Sequence, residues 1–492
     1  MESRRDFLRG SAWMAVAASA AGCLAKDIKM TDGGAGAPMQ GYSAPPLKKV
    51  RVGLVGLGSR GMGAAQRLPM VPGNEVTALC ELRQERMDLA LEWYRKKGKP
   101  IPKAFVGPDA YRRMCAWEGI DVVYSVTPWD LHAPIAVCAM ENGKHVFTEV
   151  PGALTVDECW RLVETSERTH RHCMMLENCC YGEYETLCLN LVKKGILGEI
   201  VHGEAGYLHD QRALHYGTDC MWRPGEKPGA KPPTMPTWCL DKFYAEHHGN
   251  YYPTHGLGPV AKYMDINRGD RFDHLVSMES RQANWELYGR SNFPADSWQA
   301  KRKILKGDMS MTMIRTALGK TIMLQHDVMS PHPYDRLNLV SGTKGVFRGY
   351  PDLYMAWEEK NGDNGAHAYF DREKTEAMRV KYRHPLWAAA GELAKKVGGH
   401  GGMDFLMDLR WSYCLQNGLP TDTDVYDLAA WSCLVELTER SVDGGSVRVD
   451  VPDFTRGAWR TAKPFGLMET DLARLPGLGG VESVKTFDPQ TT

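Results

Sequence analysis

The sequence predicts an α/β chain: an N-terminal doubly wound parallel sheet, then an α+β domain whose mostly antiparallel sheet leaves one face open. Three observations predict it. Apolar, β-branched runs alternate with helical patterns from Val50 to Thr169, the order that builds a parallel sheet covered on both faces. The first of those runs leads directly into Gly56-Leu57-Gly58-Ser59-Arg60-Gly61, a glycine-built turn before a helix. From Met174 onward the strand-like runs follow one another across short turns such as Leu318-Gly319-Lys320, as an antiparallel sheet requires.

Taken in order, Val50 to Val55 is a buried strand and the segment after Gly61 a helix. In a G-x-G-x-x-G turn the first glycine allows the bend, the second lets a pyrophosphate approach the backbone, and the third lets helix and strand pack closely. Gly56, Gly58 and Gly61 stand at those positions. The free N–H groups and partial positive charge of the helix start then face the phosphates. Glu75 to Cys80 is a second strand that ends at Glu81, about twenty residues past the turn, where an acid accepts the ribose hydroxyls of NAD. A 2′-phosphate would be repelled there, so NAD is expected rather than NADP; helix capping is the other use for this acid. Gln84 to Lys97 is a helix, Ala104 to Val106 a short strand, Tyr111 to Trp117 a helix and Val122 to Val126 another strand. Thr127-Pro128 leads to a helix from His132 to Asn142, and Lys144 to Thr148 is a strand that ends at Glu149-Val150-Pro151. Ligands bind beyond the carboxyl ends of such strands, which singles out the turns at Gly56, Glu81, Thr127 and Glu149. Val156 to Thr169 is a linking helix.

In the second half, strands are expected at Ile200 to Leu208, Leu275 to Arg281, Asp308 to Leu318, Thr321 to Met329 and Arg336 to Ser341. Long helices are expected at Met403 to Asn417 and Asp424 to Arg440. Residues Trp222 to Asn250 form a long excursion rich in Pro, Gly and Trp, of the kind that is usually functional. Trp222 and Trp238 there have flat faces that could stack on a ligand or anchor the loop.

Composition narrows the setting. The 492 residues contain 60 Lys plus Arg and 60 Asp plus Glu, so no global field draws in nucleic acid. The N-terminal Ser3-Arg4-Arg5-Asp6-Phe7-Leu8-Arg9, with the small apolar residues Ser11 to Gly22, resembles a twin-arginine export signal. Ala20-Ala21-Gly22-Cys23 resembles a lipoprotein cleavage site, and a lipid on Cys23 would tether the chain to a membrane. The domain plan is therefore signal 1–25, flexible linker 26–47, NAD-binding Rossmann domain 48–173 and substrate domain 174–492. A periplasmic or membrane-anchored location follows from the signal. The cysteines lack disulfide or metal spacing, and no metal site is expected. An open sheet face is a place where two copies could pair.

The glycine turn, Thr127-Pro128 with His132, and Glu149-Val150-Pro151 resemble the glucose–fructose oxidoreductase and inositol dehydrogenase superfamily. Many of its members carry a Lys that often serves in hydride transfer where this chain has Val150, a departure that argues against a standard sugar dehydrogenase. Ser59-Arg60-Gly61, Trp129-Asp130-Leu131-His132, Glu177-Asn178-Cys179-Cys180-Tyr181, Tyr252-Pro253-Thr254-His255-Gly256 and His400-Gly401-Gly402-Met403-Asp404 more closely resemble the NAD-dependent glycoside hydrolase family 109. The characterised activity of that family is α-N-acetylgalactosaminidase. The resemblance implies NAD contacts from Arg60, Glu81, Trp129, His132, Glu149, Val150 and Asn178. It implies a sugar site at Tyr207, Arg223, Tyr252, Pro253, Thr254, His255 and Tyr334. It also implies a redox-assisted elimination: hydride leaves sugar C3 for NAD, a base takes the C2 proton, the aglycone departs, water adds and the hydride returns.

Such chemistry needs proton carriers. Tyr252 and His255 are one helical turn apart and would point together, and histidine titrates near neutrality. His255 is expected as the principal acid/base, with Tyr252 as its partner; a core histidine behind a helix opened by Pro253 is the alternative. Tyr181, beside Asn178, is a candidate for the C2 proton or a structural phenol. Tyr334 follows the rigid Pro331-His332-Pro333 and could face the sugar or solvent. His400, among glycines, ranks below His255. An exported chain has no cofactor pool to reoxidise NADH, so the signal and the nucleotide fold together favour a redox-neutral cycle over net oxidation. The competing functions are a periplasmic NAD(P)-dependent sugar oxidoreductase and a non-catalytic sugar-binding relative.

Overall fold

In a computed structural model that describes residues 38–216, 239–358, 368–468 and 470–471, the first half of the chain folds into six parallel strands. These are β1 (Val50–Val55), β2 (Asn74–Glu81), β3 (Lys103–Val106), β4 (Val122–Ser125), β5 (His145–Thr148) and β6 (Cys173–Met175), in the order β3-β2-β1-β4-β5-β6. The order reverses between β1 and β4, which opens a crevice at their carboxyl ends. Val50, Val52, Leu54, Val122, Val123, Val146 and Phe147 are all fully buried, as expected of strands covered on both faces. The helix Val156–Thr169 starts where Thr155 accepts from the Glu158 N–H at 3.1 Å and ends at the left-handed His170. β6 spans the 173/174 division, so the parallel sheet reaches past it.

The second sheet has eight strands: β7 (Ile200–Leu208), β8 (Phe272–Glu279), β9 (Ser310–Thr316), β10 (Thr321–Asp327), β11 (Leu339–Gly342), β12 (Gly345–Arg348), β13 (Tyr354–Trp357) and β14 (Val449–Asp450). Their order is β13-β12-β11-β7-β10-β9-β8-β14, and only β7 and β10 run parallel. On β9 the alternation is strict. Ser310, Thr312, Ile314 and Thr316 face inward, while Met311, Met313 and Arg315 are exposed, so one face of the sheet is open. The helix Thr254–Tyr263 packs on β7 from the inner side. A Cβ at Gly256 would lie 2.3 Å from the Gly206 nitrogen, so only glycine lets the helix come this close, and this contact brings His255 beside Tyr207.

Several expectations shift. Arg336 to Asn338 do not belong to β11; Leu337 and Asn338 adopt left-handed backbone instead. The expected helix from Asp424 to Arg440 is two, Val425–Ser432 and Leu434–Asp443, parted at Cys433, whose thiol donates to the Ala430 carbonyl. Residues 38–47, read as part of a flexible linker, pack on the body. Met39 is buried with its N–H on the Tyr426 phenol, and the Leu47 N–H donates to the Leu415 carbonyl. The helices Met403–Asn417 and Val425–Ser432 return to pack on the first sheet, with the Phe147 and Trp411 rings 4.7 Å apart. The two halves are thus interlocked.

The interior holds neutral histidines. Burial pushes His172 and His384 down to about 4 and His145 and His215 down to about 3. Their folded values lie below the unfolded one, so the unfolded chain binds more protons once pH drops below about 6.5. Stability is therefore complete above that value and is lost as pH falls toward 4. The thermal midpoint should decline steadily from pH 6.5 to 4.5. A midpoint that stays flat down to pH 5 would show these rings already charged in the fold.

Candidate active site

At the crevice, Gly56 has φ of +91°, and a Cβ there would lie 2.2 Å from the Val126 carbonyl oxygen. A Cβ on Gly61 would lie 1.9 Å from the Gly56 carbonyl oxygen. Neither position tolerates a side chain, and the helix Ser59–Arg67 begins at Gly58 with no side-chain cap. Its first N–H groups are therefore left for a ligand, as at an anion-binding helix start. Glu81 closes the other side at the end of β2, accepting from Leu57 N–H at 2.6 Å and from Arg83 N–H at 3.1 Å. An uncapped helix start, a backbone with no room for a Cβ and a fixed acid fit a dinucleotide: the first two would cradle pyrophosphate, and Glu81 would hold the ribose.

Arg60 reaches out of this turn. Its Nε donates to Glu149 at the end of β5 at 2.6 Å, and its Nη1 donates to Asp404 at 2.5 Å. Asp404, 1 % exposed, also receives Asn178 Nδ2 at 2.7 Å and lies near Arg67 and His400. Burial alone would raise its pKa, but the Arg60 and Arg67 charges outweigh burial and hold the carboxyl well below the usual range. Arg67 in turn donates to Asp408, which also accepts from the Tyr124 phenol and the Trp411 indole. These buried pairs lock the returning helix Met403–Asn417 to the crevice.

Beyond Glu149 an aromatic bowl opens. Tyr207, at the end of β7, packs 5.0 Å from Tyr252, 5.2 Å from His255 and 5.9 Å from Tyr334, ring centre to ring centre. Trp129 stands 5.9 Å from Tyr252 and links the bowl to the turn after β4. His255 Nδ1 lies 2.8 and 3.0 Å from the two oxygens of Glu177, and its Nε2 lies 3.4 Å from the Tyr252 hydroxyl. Glu177 is 1 % exposed. Burial pushes it up, but His255 and the Cys179 N–H bring it below the ordinary glutamate value. An ionised carboxylate can only accept, so the proton is on Nδ1 and Nε2 is left as a base. Burial raises the Tyr252 and Tyr207 phenols, so both remain protonated donors. Among the described residues, Glu177, Cys179 and His255 also bring donor atoms within 4.8 Å of one another, as a metal site would. Here those atoms are engaged otherwise, Nδ1 with Glu177 and Cys179 Sγ with Arg336 at 2.9 Å.

Comparison with known proteins bears on both halves. Residues 50–177 match the oxidoreductase family with an NAD-binding Rossmann fold. Residues 181–461 match the C-terminal domain of glycosyl hydrolase 109. An α-N-acetylgalactosaminidase of Bacteroides fragilis is 45 % identical over 420 residues, 85 % of this chain and 95 % of that protein. The chain belongs to glycosyl hydrolase family 109. Another α-N-acetylgalactosaminidase, from Shewanella oneidensis, is 44 % identical over 87 % of this chain and 90 % of its own length. Among solved structures, levoglucosan dehydrogenase in complex with NADH shares the fold, with a TM-score of 0.58 and 19 % identity over 82 % of this chain and all of that one. This family 109 member is therefore a glycoside hydrolase with NAD as its cofactor.

The family 109 structure sorts the expected residues. Tyr207, Tyr252, His255 and Tyr334 meet in the bowl, and Gly56, Gly58, Gly61, Arg60, Glu81 and Glu149 meet at the crevice. Others move. Tyr181 is 1 % exposed and its phenol donates to Asp422 at 3.0 Å, so it faces the interior and is not placed to carry a sugar proton. His132 is 1 % exposed, with its ring nitrogens 2.7 and 2.8 Å from the Pro151 and Thr127 carbonyls, so it spans those two loops from within. Asn178 and Val150 are each 2 % exposed, and the Asn178 amide is engaged with Asp404. Pro253 and Thr254 are buried at the start of the helix that carries His255. Arg223, Trp222 and Trp238 lie outside the described residues, as do the signal segment and Cys23. Glu177 and Asp404 stand in segments that carry the family resemblance but have no expected role of their own, and Arg336 has no sequence signal beyond opening an expected strand.

Proposed function

We propose that this glycosidase removes terminal α-linked N-acetylgalactosamine by the elimination route. The observation that carries this reading is the Glu177–His255–Tyr252 chain at the bowl. Bound NAD would supply a hydride acceptor for sugar C3, whose hydroxyl proton passes to a water as the ketone forms and returns when the hydride is restored. Glu177 holds the imidazole by Nδ1, so His255 Nε2 takes the C2 proton and the resulting imidazolium is paired at once. Tyr252, within reach of the same Nε2, is the second proton carrier and passes a proton to the departing oxygen or back to C2 as water adds. Tyr207 lines the floor of the sugar site, and Tyr334, 39 % exposed, stands at its mouth. Glu149 and Arg60 link this bowl to the dinucleotide turn.

The twin-arginine-like segment and Cys23 support export, with the cofactor carried along in the folded chain, and a lipid at Cys23 would hold the enzyme at a membrane. A cycle that returns its hydride suits that location. Hydrolysis of an α-N-acetylgalactosaminide in deuterated water should place deuterium at C2 of the released sugar. Release without C2 deuterium, or NADH that accumulates in proportion to enzyme and persists, would sink the elimination route.

A further inference from the structure

Arg336 is buried at the edge of the bowl, 3 % exposed, and pairs with Glu185 at 2.6 Å. Its Nη1 donates to the Tyr334 phenol at 3.0 Å and to Cys179 Sγ at 2.9 Å, and its Nη2 also donates to the Tyr350 phenol. The Tyr334 and Tyr350 rings are 6.2 Å apart. A guanidinium has donors only. Each phenol oxygen therefore accepts from Arg336, and each phenol proton must point elsewhere. The backbone is strained just here: Leu337 and Asn338, neither a glycine, have φ of 60° and 48° in succession. Leu337 N–H on Asp335 at 2.6 Å and the Tyr263 phenol on Asn338 at 3.0 Å hold that conformation. Strain kept in place by such bonds is characteristic of a position whose aim matters.

We propose that Arg336 is a positioning residue that makes Tyr334 and Tyr350 one-way donors, and that they receive the acetamido carbonyl oxygen of the sugar. A carbonyl oxygen has two lone pairs and no proton, so two donors satisfy it. A hydroxyl in the same place also brings a proton of its own, for which phenols already accepting from Arg336 are poor partners, so it is held less well. The proposal rests on the substrate reading above and adds the groups that select the N-acetyl sugar.

The test compares kcat and KM for 4-nitrophenyl α-N-acetylgalactosaminide and 4-nitrophenyl α-galactoside in wild type, Tyr334→Phe, Arg336→Gln and the double variant. Dinucleotide content and thermal midpoint are measured alongside. Tyr334→Phe should cut the preference for the acetamido substrate about 10- to 100-fold, chiefly through KM. Arg336→Gln should lose the same preference, and the double variant should be no worse than the poorer single one, since Arg336 acts through the phenol. A preference unchanged by Tyr334→Phe, or losses that multiply in the double variant, would overturn it. If Arg336→Gln does not fold, Tyr334→Phe with Tyr350→Phe decides alone: an unaltered preference overturns the proposal. Wild type that releases no N-acetylgalactosamine would fail the substrate reading itself, whereas release with an unaltered preference fails only this inference.

Discussion

His255→Gln is expected to lower kcat by about 10²- to 10⁴-fold, the usual worth of a positioned acid/base, while the purified chain keeps its dinucleotide. Glutamine is the informative replacement. Alanine would leave Glu177 as a buried carboxylate without its partner, which costs about 3–5 kcal/mol and would mix misfolding with lost chemistry. A glutamine amide can still donate toward Glu177, yet it has no basic nitrogen to receive a sugar proton. The cofactor should stay because its cradle at Gly56, Gly61 and Glu81 shares no side chain with the His255 contacts. The measurements are steady-state hydrolysis, dinucleotide content after denaturation and the thermal midpoint. Near-wild-type turnover in a folded, NAD-containing variant would remove His255 from the proton path.

Glu177→Gln is expected to be almost as severe, about 10²- to 10³-fold in kcat with KM little changed. The carboxylate accepts the Nδ1 proton from His255 and the Cys179 N–H, both within 3.1 Å. An amide in its place can turn its NH₂ toward Nδ1. The imidazole proton would then move to Nε2, the nitrogen that has to act as base. An uncharged neighbour also fails to stabilise the imidazolium that forms. Glu177→Asp, which keeps the charge on a shorter arm, should recover part of the loss. Equal falls for Gln and Asp, accompanied by a matching drop in thermal midpoint, would show that Glu177 serves the fold and not the proton transfer.

The residues that were legible in the sequence share one property: their roles are set by near neighbours in the chain. Gly56 and Gly61 belong to one turn, and Tyr252 and His255 to one helical turn. Of the two roles open to Tyr181, the structure favours the structural phenol, for a related reason. It adjoins the polar segment, but the short 3₁₀ turn Asn178–Tyr181 directs its phenol inward to Asp422, and the direction of a turn this brief is set by what packs against it. Glu177 is 78 positions from His255, and Asp404 is 344 from Arg60, distances over which no spacing rule operates.

By itself the sequence determined the kind of chain this is: strand and helix periodicities, a turn that no residue but glycine can make, an acid at the ribose position and motifs shared with a hydrolase family. These follow from covalent neighbourhood and backbone sterics, which act over a few residues. Tertiary structure alone decided which carboxylate holds His255, which aspartate gathers Arg60, Arg67 and Asn178, and that Arg336 stands behind two phenols. Those pairings exist because docking the helix Thr254–Tyr263 on β7, and the helix Met403–Asn417 on the first sheet, removes water from charged groups that then must find one another.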